Sequence, residues 1–378
     1  MAAVELSTLP QQVVNGLLLG FIYALVALGY TMVYGVLKLI NFAHGEVFMI
    51  GAYAALFTSW ALGYTPNNNQ PTGTILTLIL MLVASMVVCG TLGMVIERFA
   101  YRPLRSQPRI ASLITAIGLS LLLQYGGQVF LPLNQNIDSK VSPFAGNFDI
   151  SLSKASATNT TALQARLDEK KKAFDDYLKT SNEDRFNLTD KGKAMRDEQF
   201  AAERALKGVK DGGNQGTSLT ISKGRAITVV ITLGLMGWLT WLVLYTKRGR
   251  AMRAVSHDFD AAALMGINVD GIVTFTFLIG SVLAGAGAMM VATFYSGTKI
   301  DTFFGMLFGV KAFVAAVLGG IGNIPGAVLG GLVMGITEQL VVWAGYDGYK
   351  DAVAFVVLIV VLLFRPGGIL GSDKVEKV

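Results

Sequence analysis

Apolar residues along the chain gather into long runs separated by short polar breaks. Residues 13–37, 47–62, 75–96, 110–131, 226–244, 272–294 and 352–364 are nearly free of charge. Most of them approach the roughly 20 residues that a bilayer-spanning helix requires. The pattern predicts an all-α fold, a polytopic transmembrane helical bundle of about eight or nine helices. Two interruptions stand out. The first, at residues 41–46, sets Asn41, His44 and Glu46 around Gly45, and small residues follow it. The second, at 319–326, holds Gly319, Gly320, Gly322, Asn323, Pro325 and Gly326. The apolar stretch before it, residues 307–318, gives only about 18 Å of helix, too short to cross the hydrocarbon alone. Gly and Pro this dense prevent a continuous helix. Non-helical backbone at membrane depth survives only where protein or a wet cavity surrounds it. The second break is therefore a candidate permeation element, the alternative being the tight turn of a helical hairpin. A polar, Gly-containing break in each half is the pattern expected of transporters with internal repeats.

Composition agrees with the pattern. The chain of 378 residues is 53% hydrophobic and 15% charged, against about 25% charged in soluble domains. One water-soluble core could not hide this much apolar surface. The net charge of +6 matters less than its placement. Short loops rich in Lys and Arg stay in the cytoplasm, which puts Arg98, Arg102, Arg105 and Arg109 inside. The same rule places the segment with Lys247, Arg248, Arg250 and Arg253 inside, and the tail with Arg365, Lys374 and Lys377. The neutral loop 66–70 fits the outer face, and the helix count then puts the N-terminus outside. Residues 1–10 carry no Lys or Arg, so they do not read as a cleaved secretory signal. Cys89, the only cysteine, sits in an apolar run and reads as a small buried residue.

Residues 134–225 break the pattern. Thirteen of the 25 acidic residues fall between Asp138 and Asp211, beside a similar number of basic ones. Residues 165–206 place Leu167, Phe174, Tyr177 and Leu178 at helical spacing. One or two solvated helices are expected there, flanked by a polar stretch near 156–161 and by Gly212 and Gly213. The resulting organisation is a transmembrane half over 1–133, a polar periplasmic insertion over 134–225, a second transmembrane half over 226–371, and a cytoplasmic tail over 372–378. A cytoplasmic coupling loop at 247–271 lies in the second half.

That loop carries the most informative motif. Asp260, Ala261, Ala262 and Gly266 match the EAA-x-x-x-G coupling element of ATP-binding-cassette importer permeases. A short helix with a small-residue face can enter a cleft on another subunit, and Gly266 ends it in a conformation other residues resist. Arg250, Arg253 and His257 could meet acidic groups on that partner. The chain has no G-x-x-x-x-G-K-S/T sequence and so no usual phosphate cradle. ATP and Mg are therefore expected on partner ATPase subunits, with no cofactor in this chain. Ionisable groups inside apolar runs are costly and usually functional. Here they are His44, Glu46, Lys311 and Glu338. His44 and Glu46 are too close in sequence to face each other on a helix, and no metal site is expected. Lys311 either lines a path or snorkels to the interface. So few buried carboxylates argue against a proton- or sodium-driven carrier, and no nucleophile accompanies His44 and Glu46 to suggest an intramembrane enzyme.

Together these segments resemble the LivH-type permeases of high-affinity branched-chain amino-acid ATP-binding-cassette importers. The likeness lies in Asn41 to Tyr53, Ala261 to Asn268, Lys311 to Gly326, Arg365 to Gly371 and Val375 to Val378. The resemblance implies a multi-pass permease of the bacterial inner membrane. It also implies a second, LivM-like permease, two cytoplasmic ATPase subunits and a periplasmic amino-acid-binding protein as partners. Membrane lipid is the surrounding solvent, and no nucleic acid is expected. Leucine, isoleucine and valine would be the cargo. Urea and short-amide permeases of the same superfamily share the Asn-x-Ala-His-Gly-Glu pattern and remain an alternative, as does an ATP-independent channel or secondary carrier. The two breaks and the ionisable groups in apolar runs make the path-lining candidates Asn41, His44, Glu46, Lys311, Glu338 and Gly319, Gly320, Gly322, Asn323, Pro325 and Gly326.

Overall fold

The computed structural model describes residues 8–65, 72–105, 107–144, 146–151, 157–181, 196–198, 200, 218–295, 299–365 and 367–371. The expected outer loop 66–70, the Gly212–Gly213 flank, much of 182–206, and the tail 372–378 with Lys374 and Lys377 lie outside the described residues.

The helices follow the apolar runs closely. In chain order they are α1 (Leu9–Leu37), α2 (His44–Ala61), α3 (Ile75–Ile96), α4 (Arg109–Phe130), α5 (Ala157–Ser181), α6 (Lys223–Tyr245), α7 (Lys247–His257), α8 (Phe259–Leu264), α9 (Val269–Phe294), α10 (Phe304–Gly319), α11 (Ile324–Trp343) and α12 (Ala352–Phe364). Among the described residues six helices are long and apolar enough to cross a membrane, and α10 and α12 are shorter apolar helices. Helices α4, α6 and α12 leave Ile114, Phe130, Val230, Trp241, Leu363 and Phe364 exposed. A row of large apolar side chains this long is what lipid, not water, would cover.

Small residues set the core. Lipid tails are as apolar as leucine, so helices associate through close backbone approach and polar contacts. On α1, Gly16 and Gly20 face Gly335 and Gly331 of α11; a Cβ on Gly16 would lie 2.7 Å from the Ile336 Cα, and one on Gly331 would lie 2.4 Å from the Ala24 nitrogen. Two small-xxx-small pairs thus lock α1 to α11. Helices α2, α3 and α9 meet in the same way. Ser85 donates to the Gly51 carbonyl at 2.7 Å, and the Cys89 thiol donates to the Val47 carbonyl at 3.2 Å. Cys89 is a buried packing residue.

Both expected breaks differ in detail from the sequence reading. At the first, irregular backbone covers residues 38–43, and His44, Gly45 and Glu46 already form the first turn of α2. The second is not an interruption within one spanning helix. Its residues turn one helix back on another, because α10 and α11 pack side by side and antiparallel. A Cβ on Gly319 would strike the Gly326 carbonyl at 2.0 Å, and one on Gly330 the Ala315 carbonyl at 1.9 Å. Gly320 and Gly322 take positive φ, +104° and +93°, and Asn323 caps α11 by accepting from the Gly326 N–H at 3.3 Å. Pro325 sits in the first turn of α11, where its missing N–H is not needed. This is the hairpin alternative. Residues 367–371 close over the turn: Ile369 and Leu370 donate N–H bonds to the carbonyls of Leu318 and Gly319 at 2.8 and 3.1 Å. Asn323 donates to the Leu370 carbonyl at 2.8 Å.

A second compact unit comprises Phe148–Thr220 and the start of α1. Strands β1 (Asn147–Ser151) and β2 (Ser218–Ser222) pair in a two-stranded sheet. Thr220 donates to Asp149 at 3.0 Å, and its N–H donates to the Gln11 side chain at 2.7 Å. Helix α5 begins at Ala157, so residues 157–161 belong to the helix and are not a polar linker. Thr and Asn there are weak helix formers, and the turns beyond carry them. Leu167 and Phe174 are buried. Lys170 pairs with Glu198 at 2.6 Å, and its ammonium holds that carboxyl below the usual range.

Candidate coupling and translocation sites

The coupling candidates fold as two short helices at the end of the molecule where α3 and α6 finish and α9 starts. Thr246 caps α7, accepting from the Gly249 N–H at 3.0 Å. Gly249 is needed here, since a Cβ would lie 2.3 Å from the carbonyls of Leu242 and Val243. Arg248 lies over the Phe275 ring at 4.7 Å, and Arg253 reaches back to the Leu244 carbonyl at 3.4 Å. Arg250 and His257 are exposed.

Helix α8 is capped at both ends. Asp258 accepts from the N–H groups of Asp260 and Ala261, both at 2.9 Å, so Asp258 is the capping acid and Asp260 lies in the first turn. At the other end Gly266 has φ +81°. Its N–H bonds the Ala263 carbonyl and that of Ile267 bonds the Ala262 carbonyl, at 3.0 and 3.1 Å. This pair of bonds is a Schellman cap. Ala262 is buried, whereas Leu264 and Met265 are 88% and 83% exposed. The capped helix thus holds an apolar tip in the open, and exposed apolar groups of this kind are common at interaction sites.

Beside α8 lies a polar cluster that the sequence reading missed. The end of α3 widens into a π turn, Glu97–Tyr101. Glu97 is fully buried and pairs with Arg105. It also lies 3.4 Å from Arg102 and accepts from the Thr274 hydroxyl at 2.7 Å. Arg102 donates to Thr274 at 3.0 Å, and Arg105 also pairs with Asp270. The basic segment 98–105 is thus tied to the start of α9, directly after α8. Glu97 stood at the edge of an apolar run and Asp270 outside the motif, so neither carried a local signal.

The path candidates divide into two groups. Lys311 does not snorkel: it is 7% exposed and donates to Glu338 at 2.8 Å. Glu338 also accepts from the Tyr23 hydroxyl at 2.7 Å, and Lys311 lies 2.6 Å from the half-exposed Asp351. Four helices, or their ends, meet in this network. It neutralises a charge that hydrocarbon would not tolerate alone.

The first break makes the other group. Asn41 is buried and accepts from the Tyr101 hydroxyl at 2.9 Å, which fixes the loop before α2. His44 and Glu46 diverge, as their spacing requires. The His44 ring packs against Tyr30 with centroids 4.6 Å apart, in space left by Gly29, whose Cβ would lie 2.4 Å from the imidazole. Glu46 turns to a cavity of about 240 Å³ shared with Tyr30, Ser120, Gln124, Met306 and Phe313. Gly45 and Gly309 bring α2 and α10 together beside it; a Cβ on Gly309 would lie 2.7 Å from the Gly45 Cα. Among the described residues no group of three His, Cys, Asp or Glu side chains could hold a metal ion.

Comparison with known proteins then decides the family. The profile of the branched-chain amino acid transport system / permease component family matches residues 12–362. The chain belongs to this permease family. It is 38% identical to the high-affinity branched-chain amino acid transport system permease protein BraD of Pseudomonas aeruginosa, over 97% of both chains. It is 36% identical to LivH of Escherichia coli, again over 97% of both. A more distant likeness, 28% over 38% of this chain and 44% of the relative, is to the autoinducer 2 import system permease protein LsrC of Yersinia pseudotuberculosis. No solved structure matches the chain. The permease is therefore a multi-pass membrane component of a transport system.

Proposed function

We propose that this permease is the membrane subunit of an ATP-driven importer for branched-chain amino acids, and that α8 is the knob through which partner ATPases move it. The observation that carries the coupling reading is the tip of Leu264 and Met265, exposed on a helix capped at both ends. Basic residues concentrate around it: Arg98, Arg102, Arg105, Lys247, Arg248, Arg250 and Arg253 all belong to this end of the molecule. The positive-inside rule turns such an end toward the cytoplasm, where ATP is available. Partner ATPases would bring the nucleotide, the Mg and the hydrolysis. The likeness to BraD and LivH, both high-affinity branched-chain amino acid permeases, supports branched-chain cargo, as does the apolar character of the cavity beside Glu46.

Movement at α8 has a stiff route into the bundle. Asp270, in the first turn of α9, and Glu97, at the end of α3, are clamped by Arg105, so α3 and α9 would move together, with α8 joined to the start of α9 by a short connection. Path residues in this reading are Glu46, His44 and the Lys311–Glu338 pair, with Asn41 holding the loop before α2. Gly319, Gly320, Gly322, Asn323, Pro325 and Gly326 would support the path as a closed hairpin turn.

The test is a complete transporter reconstituted with its ATPases, second permease and binding protein. Leu264→Asp with Met265→Asp should lower leucine uptake at least tenfold and free the ATPase rate from control by the binding protein. Removing an interface hot spot costs about 2 kcal/mol or more, and a charge in its place adds a desolvation penalty. Gly266→Pro should act in the same direction, because proline cannot take the positive φ of that position. Uptake by this polypeptide alone without ATP would instead support a channel or secondary carrier. Uptake of urea or short amides in place of leucine would reassign the cargo.

A further inference from the structure

The cavity beside Glu46 lies between the α2–α10 crossing and α4. Glu46 is 3% exposed, and one of its carboxylate oxygens is buried without a hydrogen-bond partner. Ser120, near the middle of α4, is the neighbouring hydroxyl. Of the residues lining the cavity Glu46 alone carries a charge, and no Lys, Arg or His faces it there. Gln124, also buried, directs its amide N–H at the Met306 sulfur 3.8 Å away, a weak acceptor. The rest of the wall is apolar, formed by Phe42, Ile117, Leu121, Val310 and Phe313.

A buried carboxyl oxygen without a partner is costly, and this one faces an apolar chamber that a ligand's donor could enter. Its volume, about 240 Å³, falls below the roughly 300–1,000 Å³ of drug-sized pockets and suits a very small ligand. From this geometry we infer that the cavity is a transient subsite for the zwitterion itself. Glu46 receives the substrate's α-ammonium group, Gln124 turns from the Met306 sulfur to its carboxylate, and the aliphatic side chain lies on Ile117, Met306 and Phe313. The level is right for a way-station: Ser120 lies near the middle of α4 and Gly309 within α10. The irregular backbone at 38–43 lets α2 begin at His44, so Glu46 lies in its first turn, buried beside the cavity. This inference rests on the branched-chain importer reading and names the group in the pathway that selects for an amine.

The experiment uses the complete transporter in proteoliposomes and a photoreactive diazirine analogue of leucine. In the wild type the analogue should label peptides containing Ile117 to Gln124 or Met306 to Phe313. Excess leucine should suppress the label and 4-methylpentanoate, which lacks the amine, should not. Glu46→Gln should lose the label and at least tenfold of the maximal leucine uptake, while co-purifying with its partners and keeping the half-saturating concentration of binding protein. Glu46→Asp should recover part of both, since it restores the charge in a shorter side chain. A wild type that transports leucine but is labelled only elsewhere overturns the subsite. So does a Glu46→Gln variant that transports at the wild-type rate. A wild type that transports no branched-chain amino acid under the same conditions overturns the importer reading, and the subsite with it.

Discussion

Replacing Lys311 with methionine should destabilise the folded permease by about 3–5 kcal/mol, the usual result of removing one partner from a buried ion pair. Glu338 would keep only the Tyr23 hydroxyl at 2.7 Å, with the carboxylate still 4% exposed. The loss should appear as a large fall in the detergent-solubilised melting temperature, with poor accumulation in the membrane. The double replacement Lys311→Met with Glu338→Leu should recover most of the stability, because both charges leave together. Partners in one network are far from additive. By contrast Asp351→Asn should cost about 1 kcal/mol or less, since that side chain is half exposed and its carboxylate remains solvated. If the double variant is no better than Lys311→Met alone, the pair does not supply stability in the manner the geometry indicates.

The second large effect is steric. Gly330→Ala adds a Cβ that would meet the Ala315 carbonyl at 1.9 Å and the Gly319 nitrogen at 2.8 Å. These are backbone atoms, which cannot rotate away, so α10 and α11 must separate along the hairpin. Overpacking at a tight site costs about 1–3 kcal/mol. Here the stacked crossings at Gly319, Gly326 and Gly330 would all loosen, so the upper end is expected. Gly234→Ala provides the control. Gly234 lies in α6 with nothing within 4 Å of its added Cβ, and alanine there should stabilise the helix by roughly 0.5–1 kcal/mol. Comparison of the two melting temperatures separates backbone collision from any general intolerance of glycine replacement.

Much of the architecture could be read from one dimension, for physical reasons. A helix in hydrocarbon satisfies its own backbone, so each apolar run had to be a helix, and helix ends followed the runs within a few residues. The Asp-Ala-Ala-x-x-x-Gly element was also readable, because Gly266 must terminate α8 and its own residues reveal that need. Pairings across the bundle were not. Lys311 and Glu338 were visible as costly residues, but nothing local joined them. The Glu97–Arg105–Asp270 cluster brings together groups from the ends of different helices, and the π turn that aims them has no sequence signature. The second break misled because glycine and proline announce a change of direction, not the depth at which it occurs. The GxxxG spacings in α1 and α11 were present in the sequence, and they are the signal that could have placed those helices side by side.

One contact bears on how such a chain is made. The carbonyls of Leu318 and Gly319 receive their donors from residues 369 and 370, which emerge from the ribosome only after α11 and α12 have been synthesised. Until then the bend between α10 and α11 holds open acceptors during insertion, and late arrival of that strap acts as a latch on a nearly finished bundle. A nascent polypeptide halted before Gly367 would thus carry α1 to α12 yet leave both carbonyls without these donors.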